Sequence, residues 1–232
     1  ECLRAWMGCE MTILAKAAIT VSAKEDGYSF GGKIWTQASS PMDWRDCARY
    51  CLARGTMLQT LDDAIEARVM FDGKNSSSAY QFTSTLIATL RDGIDVRAFV
   101  YEPADLEELM KHADFIRNMP LVFLSKTSPL GKRFLSGREF VPKQHVQIML
   151  DDYRKNSAAI ALMPKQAATN ARYLQKKGHA YGEISIKYEQ KSDLLIVRPV
   201  GLGDMSGCAI DASCIFSVSR QARGVRLAGN TL

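Results

Sequence analysis

"IDVRAFVYEPADLEELMKHADFIRNMPLVFLS", residues 94–125, is the stretch whose reading decides the fold. Its first nine residues alternate between apolar and polar, as a strand with one buried face does. Pro103 then suits the opening turn of a helix. Leu106, Leu109, Met110 and Ala113 recur on one face of 104–118, with Glu107, Glu108 and Lys111 opposite, which is how a helix covering a sheet reads. "PLVFLS" closes the stretch as a short apolar strand. Strand, helix and strand over about 30 residues is the crossover of a parallel pair. The expectation is a mixed α/β (α+β) fold with a central β-α-β unit.

Working toward the C-terminus, "KQHVQIMLDDYRKN" has Val146, Met149, Leu150 and Tyr153 at helical spacing, and "AAIALM" reads as a strand. Pro164 opens a helix over "KQAATNARYLQKKG", stopped by Gly178. "GEISIKYEQ" and "LLIVRPV" flank the short turn "KSD", and "ASCIFSVSR" and "GVRLAG" flank "QAR". These pairs predict a C-terminal antiparallel β region.

Toward the N-terminus, "MTILAKAAITVSA" and "KIWTQ" read as strands of a hairpin around "EDGYSFGGK". Ser40 and Pro41 begin a helix ending at Gly55. Thr60 caps a second helix, "TLDDAIEARVMFDG", with acids in its first turn. "AYQFTSTLIATLRDG" reads as a third, ended by Gly93. The division expected is an acidic N-terminal hairpin and helical region, 1–93, and an α/β core with a basic end, 94–232, or a single domain over 1–232.

With 232 residues, 47% hydrophobic and 24% charged, the chain is long enough to bury a substantial core and is not of disordered composition. No apolar run approaches the roughly 20 residues of a membrane span. The first residues lack the apolar core of a secretory signal. A cytoplasmic protein, or one inside a virion or nucleoprotein particle, is expected. Cys47 and Cys51 share a helix face as small buried apolar residues. No C-x2-C pair occurs and the three histidines are scattered, so no metal and no cofactor is expected.

Charge is uneven. Residues 1–125 hold 13 Lys and Arg against 17 Asp and Glu, while 126–232 hold 17 against 8. Such asymmetry bears on partners. "SKTSPLGKRFLSGREF" (125–140) carries Lys126, Lys132, Arg133 and Arg138 among small residues that let backbone N–H groups approach an anion. Phe134 offers a stacking surface. The helix 165–178 adds Arg172, Lys176 and Lys177 beside Tyr173, and the tip of the last hairpin adds Arg220, Arg223 and Arg226. Together these twelve residues predict a non-enzymatic subunit that binds the backbone of RNA or single-stranded DNA, in company with other protein subunits or copies of itself, and without a membrane. Two alternatives stand beside it. One is a structural subunit of a virion, tail or secretion complex. The other is a Mg-dependent nuclease using Asp151, Asp152, Glu183 and Lys187. No catalytic residue is assigned. "VGLGDMSGC" lacks the spacing of a dinucleotide or phosphate loop and reads as a connection between strands.

Overall fold

The computed structural model describes residues 20–22, 27–72, 80–103, 121–188, 194–203, 209–218 and 220–228. In chain order the strands are β1 (Thr20–Ser22), β2 (Gly27–Phe30), β3 (Lys33–Thr36), β4 (Met57–Leu58), β5 (Gln81–Asp92), β6 (Asp95–Tyr101) and β7 (Val122–Leu124). They continue as β8 (Arg138–Phe140), β9 (His145–Met149), β10 (Tyr181–Ile186), β11 (Leu195–Leu202), β12 (Ala209–Ala212) and β13 (Gly224–Leu227). The helices are α1 (Trp44–Leu52), α2 (Leu61–Phe71), α3 (Pro129–Leu135), α4 (Leu150–Tyr153), α5 (Ser157–Leu162) and α6 (Ala167–Lys176).

Two sheets result, and the fold is α+β. The larger runs β8-β6-β5-β11-β12-β10-β9, with β7 also on β11; the smaller runs β1-β2-β3-β13-β4. Most pairs are antiparallel, but β10 and β12 are parallel. One edge of β11 belongs to β5. The other is shared, with β7 against Leu195–Val197 and β12 against Gly201 and Leu202.

The centre of the larger sheet is β5, and its burial explains its sequence. Ile87 joins a core cluster with Leu61, Ile65, Tyr153, Leu162 and Ile184. Phe82, Leu86, Ala88 and Leu90 join a second cluster with Trp44, Phe134, Leu195 and Phe216. Alternate side chains therefore enter cores on opposite faces, with α2, α4, α5 and α6 on one side and α1 and α3 on the other. A strand buried on both faces shows no apolar–polar alternation. That is why 81–92 reads as a helix from pattern alone. Its β-branched residues Thr83, Thr85, Ile87 and Thr89 stand at every second position, which favours the pleated conformation.

Several expectations give way for similar reasons. Residues 145–149 are β9, followed by the short α4, in place of one helix. Residues 157–162 are a helix, α5, capped by Asn156 accepting from the Ala158 and Ala159 N–H groups at 3.0 and 3.2 Å. The residues 27–30, expected in a turn, form β2, and the turn narrows to Gly31–Gly32, both at positive φ. β10 and β11 do not form a hairpin, because β12 lies between them. β13 pairs with β3 and β4 and not with a strand at 212–220.

The parallel crossover expected over 94–125 is not among the described pairings. β6 pairs antiparallel with β5 and β8, and β7 antiparallel with β11. The connecting helix expected at 104–118 lies outside the described residues.

Other local signals act as the sequence implies. Thr60 accepts from the Asp63 N–H at 3.1 Å and Asp63 accepts from the Thr60 N–H at 3.0 Å, a reciprocal cap for α2. Gly93 and Gly178 take positive φ at the ends where stops were expected. Cys47 and Cys51 are fully buried. Among the described residues no helix is long and apolar enough to cross a membrane.

Candidate recognition site

The expected nucleic-acid residues do not assemble into one surface. Residues 129–135 form a capped helix, α3, with the Ser128 Oγ accepting from the Gly131 N–H at 3.0 Å. Phe134 is fully buried, its ring 4.8 Å from that of Tyr101, so it offers no face for stacking. Arg138 donates to the Glu102 carboxylate at 2.9 Å and to the Ala161 carbonyl at 2.6 Å. Lys126 is half-buried, and Lys132 and Arg133 are exposed on α3.

On α6, Arg172 and Lys176 are exposed, but Tyr173 is buried. Lys177 pairs with Asp72 at 2.8 Å and lies 5.6 Å over the Tyr173 ring. α3 and α6 cover opposite faces of the larger sheet, so their cations point away from each other. In the third group Arg226 is half-buried on β13 and Arg223 is 1% exposed inside the protein. Only Arg220 reaches a partly open site.

The nuclease residues fare no better. Asp151 and Asp152 line an open groove of about 520 Å³ between α4 and α6, with Arg154, Lys155, Arg172 and Gln175. Glu183 accepts from Gln147 Nε2 at 3.0 Å across β9 and β10, and Lys187 is exposed. Among the described residues no three His, Cys, Asp or Glu side chains are placed to share a metal ion.

A different cluster forms where the two sheets meet. Asp211, at the end of β12, is half-buried and takes four donors. Its Oδ1 accepts from the Ser213 N–H at 2.8 Å and the Ser213 hydroxyl at 2.5 Å. Its Oδ2 accepts from the Tyr80 hydroxyl and, at 3.3 Å, from the Cys214 thiol. Burial works against the charged carboxylate, yet the hydrogen bonds from Ser213 and Tyr80 hold its pKa below the ordinary value. The Arg220 guanidinium lies 4.1 Å over the Tyr80 ring. Gly201 permits this arrangement, because a side chain there would meet the Tyr80 ring at 2.9 Å and the Cys214 sulfur at 3.3 Å.

Neither protic neighbour is set up as a nucleophile. Burial, then the nearby Asp211 charge, pushes the Cys214 thiol up to about 12. Burial raises the Tyr80 phenol as well. A thiol of that kind stays protonated at neutral pH and reacts slowly. The groups on offer are a fixed carboxylate, a guanidinium 4.1 Å over an aromatic ring, and adjacent hydroxyls.

The segment carrying these groups is irregular but tied down. Gly203 N–H donates to the Ala209 carbonyl at 2.7 Å, and the buried Arg68 donates to the Gly203 carbonyl. Met42 and Arg220 exchange two backbone hydrogen bonds at 2.9 Å, and Ser39 N–H donates to the Ala222 carbonyl at 2.8 Å. Sequence reasoning passed over Tyr80, Asp211, Ser213 and Cys214. Its one available signal was Asp-x-Ser at 211–213, the spacing of an Asp that accepts from the backbone two residues on.

No protein-family description matches the chain, and no curated protein matches it. One solved structure does, described as "Accommodation of massive sequence variation in Nanoarchaeota by the C-type lectin fold". It covers 82% of this chain and 95% of its own, with a TM-score of 0.56 and 16% identity. The chain has a C-type lectin-like fold. That finding overturns the reading of the chain as a nucleic-acid-backbone subunit, with its structural and nuclease alternatives. A charge imbalance between the halves of a sequence carries no information on where the fold places each cation, and the lectin-like arrangement disperses them over separate faces.

Proposed function

We propose that this lectin-like chain is a non-catalytic recognition module that binds a protein partner at the junction of its two sheets. The surface comprises Tyr80, Asp211, Ser213, Arg220 and Gln221, carried on or beside residues 213–218 and 220–221. The observation that supports this most directly is the Arg220 guanidinium 4.1 Å over the ring of Tyr80, whose hydroxyl donates to the Asp211 carboxylate. Tyr and Arg are the residue types enriched among interface hot spots, because each presents a large, rigid contact area with a polar end. A half-buried pair held in position loses little further side-chain freedom on binding.

The description of the similar structure says that its fold accommodates massive sequence variation, and the same division of labour suits this chain. Buried anchors at Arg68, Arg223 and Ala222 hold the framework, while exposed Ser217 and half-buried Ile215 lie outside the core clusters and can change without disturbing them.

Site-specific photo-crosslinking tests the proposal in cells that express the full chain. A photoreactive residue at Ser217 should capture a defined protein that one at Lys187 does not, and Tyr80→Ala with Arg220→Ala should abolish the capture. Equal capture from both positions, or capture unaffected by the double substitution, would defeat the proposal.

A further inference from the structure

The main path of the larger sheet ends in β8 and β9, with β7 branching from β11, and the two ends are treated differently. β8 is packed by α5, with Arg138 reaching from the strand to the Ala161 carbonyl. β9 is the other end, and among the described residues nothing pairs with its far edge. An open strand edge presents unpaired N–H and C=O groups, which another strand satisfies best.

The phase of those groups follows from the inner pairing. Ile186 N–H donates to the Gln144 carbonyl at 2.8 Å, and β9 and β10 run antiparallel with Ile184 opposite Val146. Hydrogen-bonded pairs alternate along an antiparallel ladder. Gln144, Val146 and Ile148 therefore turn their backbone groups toward β10. His145, Gln147 and Met149 turn theirs outward.

We infer that β9 is a homodimer edge: two copies pair antiparallel through His145–Met149 about a two-fold axis at Gln147, joining their larger sheets. Three features of the strand make it complementary to itself. In this register each outward N–H and C=O finds a partner, with Gln147 opposite Gln147 and His145 of one copy opposite Met149 of the other. On the core side, half-buried Val146 meets Ile148 of the second copy, extending the apolar layer. Beyond the strand ends, exposed Lys143 of one copy approaches the start of α4 of the other, whose first turn carries exposed Asp151, at both ends of the interface. Moving the register by two residues in either direction loses an outward pair and separates the Lys from the Asp.

The solvent side of the pairing also has something to cover. Met149 is 59% exposed and Tyr181, directly opposite it on β10, is 39% exposed. His145 of the second copy would lie over this pair, where sulfur and ring contacts are favourable. Pro142 before the strand and α4 after it limit the open edge to five residues. A two-fold interface uses that edge once on each copy, so this pairing closes at two copies.

Sedimentation equilibrium and light scattering of the full chain at low salt test the inference. The expected result is a concentration-dependent monomer–dimer equilibrium. Lys143→Asp should weaken it by about tenfold or more, and Lys143→Asp with Asp151→Lys should restore it to within about threefold, since close charge pairs across an interface couple strongly. Gln147→Pro removes an outward N–H that the inner ladder does not use, so it should give a monomer with an unchanged circular dichroism spectrum. Gln147→Cys should form an intermolecular disulfide on mild oxidation, and Gln144→Cys should not. A chain that stays monomeric up to its highest soluble concentration overturns the inference, as does a dimer insensitive to the charge substitutions. If Gln147→Pro fails to fold, the charge swap and the cysteine pair decide between these outcomes.

Discussion

Arg223 donates from its guanidinium to the Thr36 backbone carbonyl at 2.9 Å, joining residues 187 apart in the chain. The side chain is 1% exposed and lies beside the touching rings of Tyr28 and Phe71, at 5.7 and 5.4 Å from their centroids. Burial lowers its pKa from the ordinary value. The same neighbourhood holds Phe30 stacked on Trp35 at 3.8 Å, the centre of the smaller core cluster. A cation expected to meet an external phosphate instead ties the last strand to the first sheet.

Arg223→Ala should cost about 3 kcal/mol of stability, because it opens a cavity and leaves the Thr36 carbonyl without this donor. Arg223→Met should cost less, since it keeps the packed stem and removes the buried charge. Urea unfolding monitored by tryptophan fluorescence measures both. Equal losses for the two substitutions would show that packing contributes little there.

Asp62 gives a pH dependence of definite sign. Burial pushes its carboxyl up to about 6, against hydrogen bonds accepted from the Lys165 and Gln166 N–H groups at 3.3 and 3.1 Å that favour the charged form. The folded state thus holds a proton that the unfolded state has released between about pH 4 and pH 6. Stability contributed by this group is greatest below that window and falls as pH rises through it. Asp62→Asn should flatten the fall, read as the change in urea midpoint between pH 4 and 7.

Gly131 and Gly137 are required by space and not by backbone angle. A Cβ at Gly131 would clash with the Ser125 carbonyl oxygen, and one at Gly137 with the Val100 carbonyl oxygen. Either Ala substitution should cost roughly 2 kcal/mol or more through forced backbone movement. By contrast, Gly32→Ala meets nothing within 4 Å and costs only its positive φ of 72°, about 1 kcal/mol. Thermal melting of the three variants should rank them in that order.

The described thiols should be slow to react. Burial pushes Cys51 and Cys214 up to about 12 and raises Cys47 further. At pH 8 in the native protein, iodoacetamide should modify these three at least ~100-fold more slowly than in urea, because only the thiolate attacks. Peptide mass spectrometry resolves each site. Fast native labelling of Cys214 would mean that the junction of the sheets opens readily.

How much of this was legible in the sequence depends on where each signal acts. The cap at Thr60 and the stop at Gly178 are local, and they sit where their chemistry implies, whereas Ser128 caps a helix in a stretch expected as an anion-binding loop and Gly93 follows a strand where a helix was expected. β6, β10, β11 and β13 also announce themselves by composition. β5 does not, because burial on both faces erases its period. β9 misleads in the other direction, since the strand and α4 together imitate one helical stripe. Pairing was the least legible level. No residue near 224–227 indicates that its partners lie at 33–35 and 57–58. The candidate site suffers from the same gap: Tyr80 and Asp211 are 131 residues apart, and nothing local links them.

The position of β13 between β3 and β4 has a consequence for biosynthesis. The smaller sheet lacks the strand that joins β4 to β3 until residues 224–227 have cleared the ribosomal exit tunnel, so β4 must wait without its strand partner throughout translation of the intervening chain. A nascent polypeptide stalled before that point should stay sensitive to protease around Trp35 and Met57, and should become resistant only once that strand has emerged.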